Sequence, residues 1–185
     1  MTSYSFNALR GKKTLITGDV GSGKTRLTRK LLDEAIAQGE KITVIDFAPL
    51  ARIVKCVKVG GHLIKEDKKI RVLKSDSIAT PRLSATNADE LLRLTKSNRD
   101  ITRQLLESYI EDTTPVLFIN DVSIHLQSGE LKPILEAASK AETVIINGYM
   151  GETLKDDQGS GVSHREHALM NKLGQTMDQE IRLGE

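Results

Sequence analysis

Short apolar runs alternate with longer amphipathic stretches along most of the 185-residue chain. The runs at residues 13–17 (KTLIT), 41–46 (KITVID), 116–121 (VLFIND) and 143–148 (TVIING) are continuous rather than alternating, which predicts strands buried on both faces. EIRL at 180–183 predicts a last one. Between them, residues 25–38 place Leu27, Leu31, Leu32, Ala35 and Ile36 on one helical face, stopped by Gly39. A second helix is predicted over 87–110, with Leu91, Leu94, Ile101 and Leu105 in a stripe, Asp89 and Glu90 in its first turn, and Pro115 beyond its end. Further helices are predicted near 129–140 and 163–173. Strand, helix and strand within residues 13–46 make a βαβ unit, whose strands lie parallel. The repeated alternation predicts an α/β fold: a three-layer α/β/α sandwich with a mostly parallel sheet, in a single domain over 1–185.

The alternation breaks between residues 51 and 75. RIVKCVKVGGHLIKEDKKIRVLK reads as short strands interrupted by Gly60-Gly61 and a charged turn, which predicts either a basic hairpin insertion or an inserted edge. Eight lysines and arginines here face only Glu66 and Asp67, a local excess of six positive charges. An edge kept from pairing by its lysines is the expectation. A nucleic-acid partner is possible but not favoured, because aromatic residues make up 3% of the chain and single-stranded nucleic acid is held largely by stacking rings.

Composition changes the picture little. With 38% hydrophobic and 28% charged residues and a net charge of +2, the chain reads as an ordinary globular protein. The start, MTSYSFNALRGKK, has no signal-peptide core, and no apolar run approaches spanning length, so a cytoplasmic protein without a membrane partner is expected. Cys56 is the only cysteine, which excludes an internal disulfide and any multi-cysteine metal site. Basic neighbours Lys55 and Lys58 would favour its thiolate, but a plain strand residue is the expectation.

The first strand and helix meet at Gly18-Asp19-Val20-Gly21-Ser22-Gly23-Lys24-Thr25. Glycines there let the backbone curl with its N–H groups inward, and the helix N-terminus adds partial positive charge. Lys24 then reaches the outer phosphates of a nucleoside triphosphate while the Thr25 hydroxyl ligates Mg²⁺. Residues 18–25, with Arg26 beside them, form the expected nucleotide contact set.

With GDVGSGKT as a Walker A and VLFIND as a Walker B, the sequence resembles the P-loop NTPase superfamily. The resemblance implies that Asp121 holds the Mg²⁺ shell, with Thr25 as the other protein ligand. The next strand ends in Asn147, similar to the polar sensor residue that RecA- and AAA+-like ATPases set beside the γ-phosphate, and Asn147-Gly148-Tyr149-Met150 lacks the lysine and aspartate of a guanine-reading motif. ATP is therefore the expected nucleotide. Two positions depart from the pattern: Asn120 interrupts the apolar run before Asp121, and Val122 stands where many hydrolytic members carry a water-activating glutamate.

A base has to come from elsewhere. Asp46, at the carboxyl end of the second strand, is one candidate, as in kinase-like members, and Glu130 is a weaker one. Arg82 and Arg165 are candidates for stabilising phosphate charge, with a surface position as the plainer expectation. His125, His164 and His167 read as surface histidines, since no carboxylate stands at a metalloprotease spacing. The glycine-rich stretch 159–161 reads as a connection that covers the site or merely links two elements. The resulting expectation is an Mg²⁺-dependent ATPase with Lys24, Asp46, Asp121 and Asn147 as catalytic residues. The alternatives are a small phosphotransferase using Asp46, or a nucleotide-gated binding protein with little turnover. The second substrate or protein partner is not named by the sequence.

Overall fold

The computed structural model describes residues 4–54, 57–64 and 67–184. Six parallel strands form its central sheet: β1 (Lys13–Gly18), β2 (Ile42–Asp46), β5 (Arg71–Lys74), β6 (Val116–Asn120), β7 (Thr143–Tyr149) and β8 (Gln179–Leu183), in the spatial order β5-β2-β6-β7-β1-β8. A separate antiparallel pair is formed by β3 (Arg52–Val54) and β4 (Val57–Val59). The helices are α1 (Phe6–Leu9), α2 (Lys24–Ala37), α3 (Pro81–Ser84), α4 (Ala88–Glu111), α5 (Ser123–Leu126), α6 (Leu131–Ser139) and α7 (Val162–Thr176). The fold is the expected three-layer α/β/α sandwich with a parallel sheet.

Why the strands read as continuous apolar runs is visible in the two cores. Successive side chains of a strand point to opposite faces, so a sheet covered on both sides needs apolar residues at every position. Leu15, Ile45, Leu117, Ile119, Val144 and Ile146 enter one core with residues of α4, α6 and α7. Ile16, Val44, Val116, Phe118 and Ile145 enter the other with Phe6 and Leu9 of α1 and Leu31, Leu32 and Ala35 of α2. All of these side chains are at most 2% exposed. At about 25 cal/mol per Å² of apolar surface removed from water, such burial is the main force holding the layers together.

Residues 71–74 take the inserted-edge form of the two expected. Instead of pairing within a hairpin they form β5, parallel to β2 at the sheet edge, with Thr43 opposite Arg71 and Asp46 opposite Lys74. Leu73 packs on one core and Val72 on the other. The Arg71 guanidinium donates to the carbonyls of Ser108 and Asp112 at the end of α4. Lys55, Cys56, Lys65 and Glu66 lie outside the described residues, and with them the reading of Cys56.

His125 is not a surface residue. Its ring is 1% exposed, bonds Thr102 Oγ1 through Nδ1 at 2.7 Å and the Glu130 carbonyl through Nε2 at 3.1 Å, and stacks on Phe47. Burial holds its pKa down at about 4. His164 and His167 are exposed. Among the described residues no helix is long and apolar enough to cross a membrane.

Candidate functional site

Parallel strands bring their carboxyl ends to one edge, where ligands of open α/β sheets bind. β7 lies between β1 and β6, so Asn147 sits between the two strands that end in Gly18 and Asn120. At this edge a cavity of about 210 Å³ is lined by Val20, Gly21, Lys24 and Thr25, by Asn120, Asp121 and Asn147, and on its far wall by Pro49, Gly60, Gly61, Thr80, Arg82, Gln127 and Tyr149.

The loop after β1 takes its shape from glycine. Gly21 and Gly23 have φ of 75° and 95°, a region costly for other residues, and Gly23 caps the N-terminus of α2. Lys24 Nζ reaches back to the Asp19 carbonyl at 2.6 Å. Burial lowers the Lys24 pKa, opposed by the nearby charges of Asp121 and Asp19. Thr25 is exposed on the cavity wall at the first turn of α2; Arg26 is exposed and does not line the cavity. The Asp19 carboxylate accepts N–H groups from Val20 at 2.6 Å, Glu152 at 3.0 Å and Thr153 at 3.2 Å, tying the loop to the segment that follows β7. Burial pushes its pKa up, but these backbone donors outweigh that and hold it below the usual carboxylate value.

Asp121 follows β6 with φ of 58°, a left-handed conformation that aspartate and asparagine tolerate better than most residues. Ser123 Oγ donates to its Oδ1 at 2.8 Å. Burial raises its pKa, opposed by that hydroxyl and by the charges of Lys24 and Arg82. Asn147 is fully committed within the protein: its Oδ1 accepts the Asp121 N–H at 2.9 Å, and its Nδ2 donates to Thr28 Oγ1 at 2.9 Å and Asn120 Oδ1 at 2.8 Å. The amide thus clamps α2, β6 and β7 together at the cavity floor.

Asp46 does not reach this cavity. It is 0% exposed and accepts from Ala48 N at 3.0 Å, Leu63 N at 2.5 Å and Asn120 Nδ2 at 2.8 Å. Burial raises its pKa against these three bonds. A buried carboxylate bonded by the residue two places on, by the Leu63 loop and by the asparagine that ends β6 is used within the protein, a structural arrangement rather than one that faces a substrate. Glu130 caps α6 away from the cavity, and Arg165 donates to the Gly129 carbonyl at 2.7 Å.

Arg82 is where sequence reasoning was furthest from the structure. Instead of lying on the surface its side chain is 6% exposed, its guanidinium forked on Glu166 at 2.9 and 3.0 Å and lying 5.2 Å over the Tyr149 ring. Glu166 also accepts from Gln127 Nε2 at 2.9 Å. Burial raises its pKa to about 7 despite Arg82 and Gln127. The missed signal was positional: Val162, Glu166, Met170 and Leu173 share the buried face of α7, so a glutamate occupies an apolar stripe and needs a partner. After β7, Leu154 reaches the cavity wall and Gln158 Nε2 donates to the Ala85 carbonyl at 2.7 Å, so this segment spans from the loop to α3, while 159–161 leads into α7 without lining the cavity.

The family model for the DNA-binding domain of type IV secretion-system coupling proteins matches residues 5–49, from α1 through the loop after β1 to just beyond β2. No curated protein matches the sequence. Solved structures that match include the flagellar accessory protein FlaH from Methanocaldococcus jannaschii, with 11% identity over 94% of this chain and 71% of that one and a TM-score of 0.48. The DnaC helicase loader is similar over 95% of this chain and 80% of its own, with 13% identity and a TM-score of 0.41.

Proposed function

We propose that the chain binds a nucleoside triphosphate, ATP in our reading, with Mg²⁺, and hydrolyses it slowly. The observation that carries this reading is the convergence of Lys24, Thr25 and Asp121, from two distant segments, on one cavity beneath a glycine-shaped loop at a helix N-terminus. In it, the loop N–H groups hold the phosphates and Lys24 leaves the Asp19 carbonyl to neutralise the outer ones.

The donor set fits Mg²⁺ of the kind that arrives with phosphates. Among the described residues no group of three or more histidine, cysteine, aspartate or glutamate side chains is placed to cage an ion. Mg²⁺ favours one or two protein oxygens with water and phosphate completing its shell, and the Thr25 hydroxyl and Asp121 carboxylate are oxygens of that kind. Held by these two oxygens, the ion would neutralise charge on the bound phosphates.

A second reading, a nucleotide-gated binding protein with little turnover, is favoured by one observation. Asp121 is the only carboxylate among the described residues that line the cavity, and Val122 beside it is 0% exposed. Nothing on that wall besides Asp121 takes a proton from an attacking water. The phosphotransferase reading loses its base with the burial of Asp46.

Incubation with γ-labelled ATP and Mg²⁺ separates the two. Steady release of labelled phosphate, lost in Lys24→Ala, supports the ATPase; intact ATP retained by the protein supports the gated binder. A folded wild-type protein that neither binds nor cleaves ATP overturns both.

A further inference from the structure

The cavity is lined by two cationic side chains, Lys24 at the start of α2 and Arg82 of α3. Arg82 is held in place by a short chain of contacts. Asn98 of α4 grips the backbone of Ala79 through both its Oδ1 and Nδ2, at 2.8 and 3.0 Å, and the chain then enters α3 through Pro81. From there the guanidinium reaches Glu166 of α7, and its charge is felt by Asp121.

We infer that Arg82 reads the terminal phosphate of the bound nucleotide, turning from Glu166 onto that phosphate and thereby loosening the tie between α3 and α7. The inference rests on the nucleotide reading above and extends it to how a triphosphate is told from a diphosphate. Both positions of the guanidinium are chemically provided for. Toward α7 it has a bidentate carboxylate, the strongest common geometry for arginine. Toward the cavity it meets the outer phosphate, which prefers the same fork, while Gln127 Oε1, buried without a partner, is an acceptor beside it for a remaining N–H. Glu166 keeps its bond from Gln127 Nε2 when Arg82 departs.

A buried carboxylate that loses its arginine takes up a proton, because desolvation already pushes its pKa to about 7. The charged or titratable groups facing Glu166 are Arg82 from α3, Asp121 after β6 and Tyr149 of β7, with His164 and His167 exposed on its own helix. Departure of Arg82 removes the charge that opposes desolvation at Glu166, which drives the pKa further up. Triphosphate binding near or above pH 7 is therefore coupled to proton uptake, and diphosphate binding is not.

The test uses calorimetry of the full chain with Mg²⁺ and either ADP or the non-hydrolysable AMP-PNP, in buffers of different ionisation enthalpy. Wild-type protein is expected to take up protons with AMP-PNP only. Arg82→Lys, which keeps the charge but loses the fork, is expected to weaken AMP-PNP about tenfold or more while ADP affinity holds. Glu166→Gln, which keeps the shape and a hydrogen bond to Gln127, is expected to abolish the proton uptake and to leave AMP-PNP binding as tight or tighter. Equal losses for both nucleotides in Arg82→Lys, or proton uptake that survives Glu166→Gln, overturn the proposal while leaving the nucleotide reading intact. If wild-type protein binds neither nucleotide, both fall. Should Arg82→Lys fail to fold, the Glu166→Gln result alone decides.

Discussion

Asn147 Oδ1 accepts the backbone N–H of Asp121 at 2.9 Å, so the residue proposed to hold the metal is aimed by the strand next to its own. The same amide donates to the buried Thr28 and to Asn120. Asn147→Leu removes the polar group and leaves those partners unpaired. It is expected to destabilise the fold by about 2–4 kcal/mol, since each buried unpaired group costs about 1–3 kcal/mol. Urea denaturation measures this, and an unchanged midpoint contradicts the clamp.

The proposed metal role of Asp121 predicts a specific loss. Asparagine tolerates the φ of 58° and still accepts from Ser123, so Asp121→Asn isolates the charge. Nucleotide affinity in wild-type protein is expected to fall when Mg²⁺ is replaced by EDTA, and the variant to lose most of that difference with its melting temperature little changed. A variant that responds normally to Mg²⁺ has its ion held elsewhere.

Asp46 makes the opposite forecast. With three internal bonds and no exposure, Asp46→Ala is expected to cost about 2–4 kcal/mol by orphaning buried donors, with nucleotide affinity in the folded fraction retained. Full stability together with lost turnover restores the catalytic base.

Gly151 has no room for a side chain. A Cβ there comes within 2.3 Å of Asp19 Cγ, whose carboxylate ties the loop after β1 to residues 152 and 153. Gly151→Ala therefore separates the two segments, with an expected loss of about 1–3 kcal/mol in stability and a weaker phosphate cradle. Equilibrium unfolding and nucleotide titration of the variant report the two effects separately; neither changing shows that the tie is dispensable.

His125 predicts a pH dependence. Its ring is neutral in the fold, with a pKa of about 4 against 6.5 for a free histidine. Protons bind the unfolded chain first, so this contribution is complete above pH 6.5 and is lost as pH falls toward 4. Its full size is about 3 kcal/mol. His125→Gln is expected to be less stable near neutral pH but to show a flatter stability profile on acidification.

What the linear chain determined is whatever depends on neighbours. Continuous apolar runs specify a doubly covered strand, an apolar stripe at helical spacing specifies one helix face, and glycines beside Lys24 and Thr25 specify a tight turn into a helix N-terminus, because each signal is local. The tertiary structure decided the rest by bringing distant residues into one desolvated space. Asp46 and Asp121 both follow apolar strands in sequence, yet one is sealed beneath the Leu63 segment and the other faces the cavity. Arg82 and Glu166 lie in different helices, and nothing in the sequence links them, but buried together they pair, since an isolated charge out of water costs far more than a paired one. Residues 71–74 joined the main sheet for a similar reason: only in three dimensions does the β2 edge offer backbone partners, and α4 the carbonyls that hold Arg71.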